Sequence, residues 1–182
     1  GYYSRNDYNR FYNEDDESFH SLVKEDYYYV KANANYSMAF SHRNRLAFSL
    51  FEFMRISDSE YTGTSIYNQN LHSSETILFA DYSQRLGRFF FDINPGLSFL
   101  TYRLKGMESI NHLTPRLQAR AAYKIDKVQQ LQFTFAFGNT YPRINTINNV
   151  EQQIDPIIIL KGNPDMDNSI LLNPRLSHTL NL

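Results

Sequence analysis

Side-chain character alternates at every second residue through most of this chain, and few folds accommodate that pattern. From Val30 to Phe40 one set of positions carries Val30, Ala32, Ala34, Tyr36, Met38 and Phe40. The interleaved set carries Lys31, Asn33, Asn35, Ser37 and Ala39. A period of two puts the sets on opposite faces of a β-strand. The pattern returns with Leu46, Phe48, Leu50, Met54 and Ile56, where Glu52 interrupts the apolar set and Phe51 and Phe53 fall on the other face. It recurs from Thr76 to Leu86, from Phe89 to Phe99, from Leu117 to Ile125, from Leu131 to Gly138 and from Arg175 to Leu182. Pro95 and Gly96 mark a bulge or bend within the fourth run. The expected fold is all-β, an antiparallel up-and-down meander of about seven or eight strands. Residues 1–25 lack the signal and are expected to be loop or irregular, within a single domain spanning 1–182.

Composition agrees and narrows the function classes. Fourteen Tyr and 14 Phe, with no Trp, coexist with a low mean hydropathy of −0.52. Strands that alternate aromatic and polar residues give this combination; helical bundles do not. With no cysteine, disulfide scaffolds, thiolate zinc sites and cysteine nucleophiles are excluded. A net charge of −1 and a pI of about 6.6 argue against a nucleic-acid partner. No apolar run reaches the length of a membrane-spanning helix. The opening GYYSRNDYNR has none of the features of a signal peptide, and its leading Gly fits a mature terminus or a shortened chain.

The expected connections alternate: 42–45 short, 57–75 long, 87–88 short, 104–115 medium, 126–129 short and 139–170 very long. In a meander this gathers the tight turns at one end and the long loops at the other, as in an outer-membrane β-barrel. Strands of about ten residues suit a tilted bilayer crossing. The polar sets are rich in Asn, Gln, Ser, Thr and Ala rather than Lys and Glu, and Tyr27, Tyr28, Phe40, Tyr102, Phe137 and Tyr141 lie near strand ends as girdle residues would. The same alternation also builds a soluble sandwich or small closed barrel, serving as a carbohydrate- or ligand-binding module with its apolar face inward. A third reading is a complete eight-stranded membrane barrel with residues 1–25 supplying a strand. The ending Thr179-Leu180-Asn181-Leu182, without a terminal aromatic, counts against it.

The segment from Gly138 onward carries a resemblance. Tyr141, Arg143 and Ile144 are followed by Asp155 and then by Gly162-Asn163-Pro164-Asp165-Met166 just before the last strand. This resembles the late barrel of TonB-dependent outer-membrane receptors, particularly those related to the SusC type, over about 45 residues. There a tyrosine- and arginine-bearing stretch leads into a loop that closes on Gly-Asn-Pro-Asp-Leu. Asp167-Asn168-Ser169 stands where the family usually continues Lys-Pro-Glu. The resemblance implies the cell outer membrane of a Gram-negative bacterium, a parent barrel of about 22 strands with a plug domain, and TonB-energised nutrient uptake. This chain would then be a barrel fragment without the plug, not active alone. Outer-membrane lipid would be its surroundings. The plug and TonB would be partners only through the full-length parent, and a surface lipoprotein is a further implied partner. Open sheet edges would also favour self-association.

In the membrane reading Lys31, Asn33, Asn35, Asp92, Asn94, Arg120, Lys124, Gln130 and Gln132 line an aqueous interior and meet plug or substrate. Arg143 and Asp155 are loop candidates for substrate contact or bracing, and the aromatic, Asn-rich stretch from Tyr61 to Asn70 suits stacking on a sugar or siderophore. Glu14-Asp15-Asp16-Glu17 lacks the spacing of a Ca²⁺ loop and reads as a solvated loop. His20, His42, His72, His112 and His178 have no metal-ligand spacing. With no nucleophile elbow, phosphate loop or zincin motif, neither an enzyme nor a cofactor is expected.

Overall fold

The computed structural model describes residues 1–14, 17–63, 66–140, 144–147, 149, 151–153 and 158–180. The strands are β1 (Tyr2–Glu14), β2 (Glu17–Ser41), β3 (Asn44–Gly63), β4 (Tyr67–Leu86), β5 (Phe89–Leu104), β6 (Ile110–Lys124) and β7 (Gln129–Thr140). A single helical turn, α1 (Ile144–Ile147), and a short ribbon of β8 (Gln152–Gln153) and β9 (Ile159–Leu160) precede β10 (Ser169–Leu180). Eight strands form one antiparallel meander in the order β1-β2-β3-β4-β5-β6-β7-β10. The sheet is not closed, because β1 and β10 are not paired. It is therefore neither a sandwich nor a small closed barrel.

The register turns the sequence alternation into two continuous faces. Tyr36 opposes Phe48, Phe48 opposes Ala80, Leu78 opposes Leu97, Leu97 opposes Pro115, Leu117 opposes Phe137 and Phe137 opposes Leu172. An apolar band thus crosses β2 to β7 and β10 without a change of face. Along β5 it runs from Phe89 to Phe99, roughly 33 Å of strand.

Two expectations about irregular segments are corrected. Residues 2–14 and 17–25 are strand, not loop: β1 pairs with the outer half of β2 from Tyr2↔Tyr29 to Glu14↔Glu17. Residues 57–63 and 67–75 are strand as well, since β3 extends to Gly63 and β4 begins at Tyr67. Both segments carry polar residues at both parities, so a period of two leaves no hydrophobic signature. Backbone ladders join both, with a hydrogen bond from Tyr3 to Asp26 and ring contact of Tyr3 with Tyr28 at 4.8 Å in the first, and a hydrogen bond from Asn70 to Asp58 and stacking of Tyr61 on Tyr67 at 4.2 Å in the second. The medium connection also shortens, to 105–109, because β6 starts at Ile110. Only 141–168 remains long.

The tight ends follow local chemistry. Gly87 adopts φ +59° in the two-residue connection Gly87-Arg88, a conformation that costs glycine little. Asp126 caps the β6–β7 connection by accepting hydrogen bonds from the backbone of Val128 and Gln129, both at 2.8 Å. Pro95 and Gly96 produce a gap in the β4–β5 ladder rather than a bulge. Pairing stops at Phe79↔Gly96 and resumes at Tyr82↔Ile93 in the same register, as expected where a proline has no N–H to donate. The one register shift in the β2–β3 ladder lies between Ala39 and Ser41.

Candidate functional site

Burial is inverted relative to a water-soluble sheet. On the apolar face Tyr36 is 64% exposed, Leu113 69% and Leu176 68%. On the opposite face Ser98 is fully buried and Glu75 is 4% exposed. Among the described residues no second layer covers the apolar band. Within that band, from Val30 on β2 across to Leu180 on β10, Glu52 is the sole Asp, Glu, Lys or Arg among the described residues; Arg103, in register with Tyr28, lies beyond its outer edge. Its carboxylate accepts hydrogen bonds from Ser74 at 2.8 Å and Thr76 at 2.5 Å.

The opposite face over the same height carries Lys31, Arg45, Arg85, Arg116, Arg120, Lys124 and Arg175 against Glu75, Asp81 and Asp92. Seven cations face three carboxylates, although the whole chain is nearly neutral. All nine strand residues expected to line an interior stand on this face. Lys31, Asn33 and Asn35 lie on β2, where the Lys31 ammonium sits 5.5 Å from the ring centres of both Phe51 and Phe53. The other six gather on β5, β6 and β7. Asp92, Asn94 and Arg120 line a polar trough of about 460 Å³ with Gln118, Thr134, Asn173 and Arg175. Arg120, Lys124, Gln130 and Gln132 line a second groove of about 320 Å³ nearer the turns, with Arg85 and Arg88. Arg120 joins the two: its Nε and Nη2 donate to Asp92 at 2.8 and 2.5 Å, and its guanidinium lies 4.8 Å from the Phe90 ring centre.

A deeper cluster was not anticipated. Glu75 receives hydrogen bonds from Arg116 at 2.5 Å and Ser98 at 2.7 Å, with Arg55 at 3.9 Å from its other oxygen. Arg116 also donates to the Asn139 carbonyl at 3.5 Å. Glu75 lay in a stretch expected to be loop, and the register that gathers β3, β4 and β6 at one point has no signature in sequence spacing. Arg85, Arg88, Asn173 and Arg175 were likewise not singled out, though period-two parity places the strand residues among them on this face.

The long connection folds against the outer end of the same face. Ile147, 1% exposed, packs with Leu71, Leu100, Tyr102 and Leu104. The Gly162-to-Met166 motif forms a turn in which Met166 N–H donates to the Asn163 carbonyl at 3.1 Å and Asp165 N–H to the Asn163 side chain at 3.0 Å. Asn163 N–H donates to Thr146 at 2.8 Å, and the Tyr102 hydroxyl donates to the Met166 carbonyl at 3.4 Å. Burial, and secondarily Asp167, push the Tyr102 phenol above its ordinary value. Arg143 and Asp155, with Tyr141, lie outside the described residues, as do Asp15 and Asp16 of the acidic run. Among the described residues no three His, Asp or Glu converge as a metal site would require. Among the described residues no helix is long and apolar enough to cross a membrane, which says nothing about crossing by strands.

A scan of protein families, a search of curated proteins and a search of solved structures each find no match to this chain.

Proposed function

We propose that this chain is a sector of an outer-membrane β-barrel wall, with the apolar band against lipid and the polar face toward an aqueous interior. The carrying observation is the segregation of charge among the described residues: one carboxylate on a band that crosses seven strands, and ten charged side chains on its reverse. Water gives no reason for that separation on an uncovered face, whereas lipid penalises charge on one side only. At the strand tilt of about 40° usual in such barrels, the roughly 33 Å of band along β5 would span the roughly 25 Å of their hydrocarbon-facing belt. An open sheet with two unpaired edges fits an arc of a wider wall, because closure removes edges. The resemblance between Gly138 and Leu182 makes the parent a TonB-dependent nutrient receptor rather than an enzyme, located in the outer membrane of a Gram-negative bacterium. In that parent the polar face meets the plug and the passing solute.

Flotation of the refolded chain with phosphatidylcholine vesicles tests this reading. Co-flotation that survives high salt and alkaline carbonate is the expected result. A monodisperse, detergent-free monomer that stays at the bottom of the gradient would overturn the lipid-facing assignment and favour a soluble binding module.

A further inference from the structure

We propose that the groove at the turn end of the polar face binds a multiply charged oxyanion, a solute bearing phosphate, sulfate or clustered carboxylate groups; placing it on a transport path rests on the interior reading above. The groove, of about 320 Å³, is lined by four cations, Arg85, Arg88, Arg120 and Lys124, and by no carboxylate. Register brings them together: Arg85 opposes Phe90, Phe90 opposes the small, buried Ala122, and Ala122 opposes Gln132. A small residue flanked by long cationic ones leaves a floor between charged walls.

Two of the four cations are held in place. Arg88 Nη1 donates to the Ile125 carbonyl at 2.9 Å, and Arg120 is fixed by Asp92 and by the Phe90 ring. Arg85 and Lys124 have no side-chain acceptor among the described residues. Asp92 offsets Arg120, but Arg85, Arg88 and Lys124 have no carboxylate in the groove's lining; like charges gathered so repel one another, and an anion among them relieves that repulsion. Guanidinium groups present paired N–H donors that match phosphate and carboxylate oxygens, and the Gln130 and Gln132 amides add neutral donors. The volume suits a diphosphate-sized group and excludes a helix or folded domain. The same chemistry occurs in free solutes and in anionic lipid headgroups. A position on the face opposite the apolar band favours the solute.

The test is titration of the refolded chain in neutral maltoside micelles with inorganic pyrophosphate, followed by calorimetry. One saturable site is expected, weakened roughly ten-fold by Arg85→Gln/Lys124→Gln and also weakened by Ala122→Phe, which fills the floor without changing charge. Affinity should fall as salt rises. Binding that ignores both variants, or uptake that never saturates, overturns the site. Vesicles separate the sources: if the double variant loses added affinity for phosphatidylglycerol while pyrophosphate binding is unchanged, the groove reads headgroups and the solute assignment falls. A chain that floats with phosphatidylcholine yet takes no pyrophosphate keeps the membrane reading and loses this site. One that binds pyrophosphate without ever floating keeps the anion site and loses the transport path.

Discussion

At Gly96 the lack of a side chain lets the Phe79 ring lie across β5. A Cβ built there would sit 2.5 Å from that ring and 2.5 Å from the Leu78 carbonyl oxygen, one of them rigid backbone. The strand cannot move away cheaply, because Gly96 also opposes Arg116 on its other side. Gly96→Ala is therefore expected to destabilise the sheet by about 1–3 kcal/mol, the usual cost of forcing extra atoms into a packed site. An unchanged unfolding midpoint in detergent would show that Phe79 does not occupy that position. Glu52 illustrates a different residue-scale constraint. A carboxylate on the apolar face must find donors locally, and Ser74 and Thr76 on the adjacent strand supply them. The sequence marks Glu52 as the break in an apolar set, but only the pairing of β3 with β4 identifies what satisfies it.

Among the elements, the long connection after β7 is the one tied to a titratable group. Tyr102 donates its hydroxyl to Met166 and stands among Leu71, Leu100, Leu104 and Ile147, beyond the end of the apolar band. Its phenol is raised by burial first and by Asp167 second. A raised acid holds its proton more tightly folded than unfolded, so its contribution is complete below the ordinary tyrosine value of about 10 and fades as pH rises through and above it. Wild-type protein should lose stability relative to Tyr102→Phe as pH rises above about 10. Unfolding midpoints measured for both proteins across that range isolate this tyrosine from the other 13; a flat difference would refute the coupling. The meander itself was legible wherever apolar and polar residues alternate, from Val30 to Phe40 or Leu131 to Phe137, because lipid-like and water-like faces impose opposite choices on neighbouring residues. It was illegible in β1 and in the outer parts of β3 and β4, where strands rise past the band and both faces are polar. Parity alone puts the nine candidates on one common face. The gathering of six of them into two adjoining grooves, and the Glu75–Arg116 cluster, depend on register across five strands, which local spacing does not encode.

For the molecule as a whole, Ile93 and Asn94 make the sharpest comparison, since they are neighbours in β5 that point to opposite faces near mid-height of the band. Ile93 opposes Tyr82 and Ala119 within the apolar band, while Asn94 opposes Gln118 on the trough side. An arginine placed on a lipid-facing strand at mid-depth costs about 2–4 kcal/mol, whereas an interior position remains in water and adds only to an already cationic wall. Ile93→Arg should therefore lower the fraction of chain recovered with phosphatidylcholine vesicles by one to three orders of magnitude in the partition equilibrium, about 2–4 kcal/mol, with Asn94→Arg close to wild type. Both variants introduce the same side chain and the same charge at neighbouring positions, so a difference between them reports the solvent that each face meets. In water the order reverses: Ile93 is 42% exposed, and replacing it with arginine would remove an exposed apolar group at little cost. Equal partition of the two variants would mean that the apolar band does not face lipid. A soluble partner or a second copy would then have to cover it, since a band of this extent does not remain bare in water.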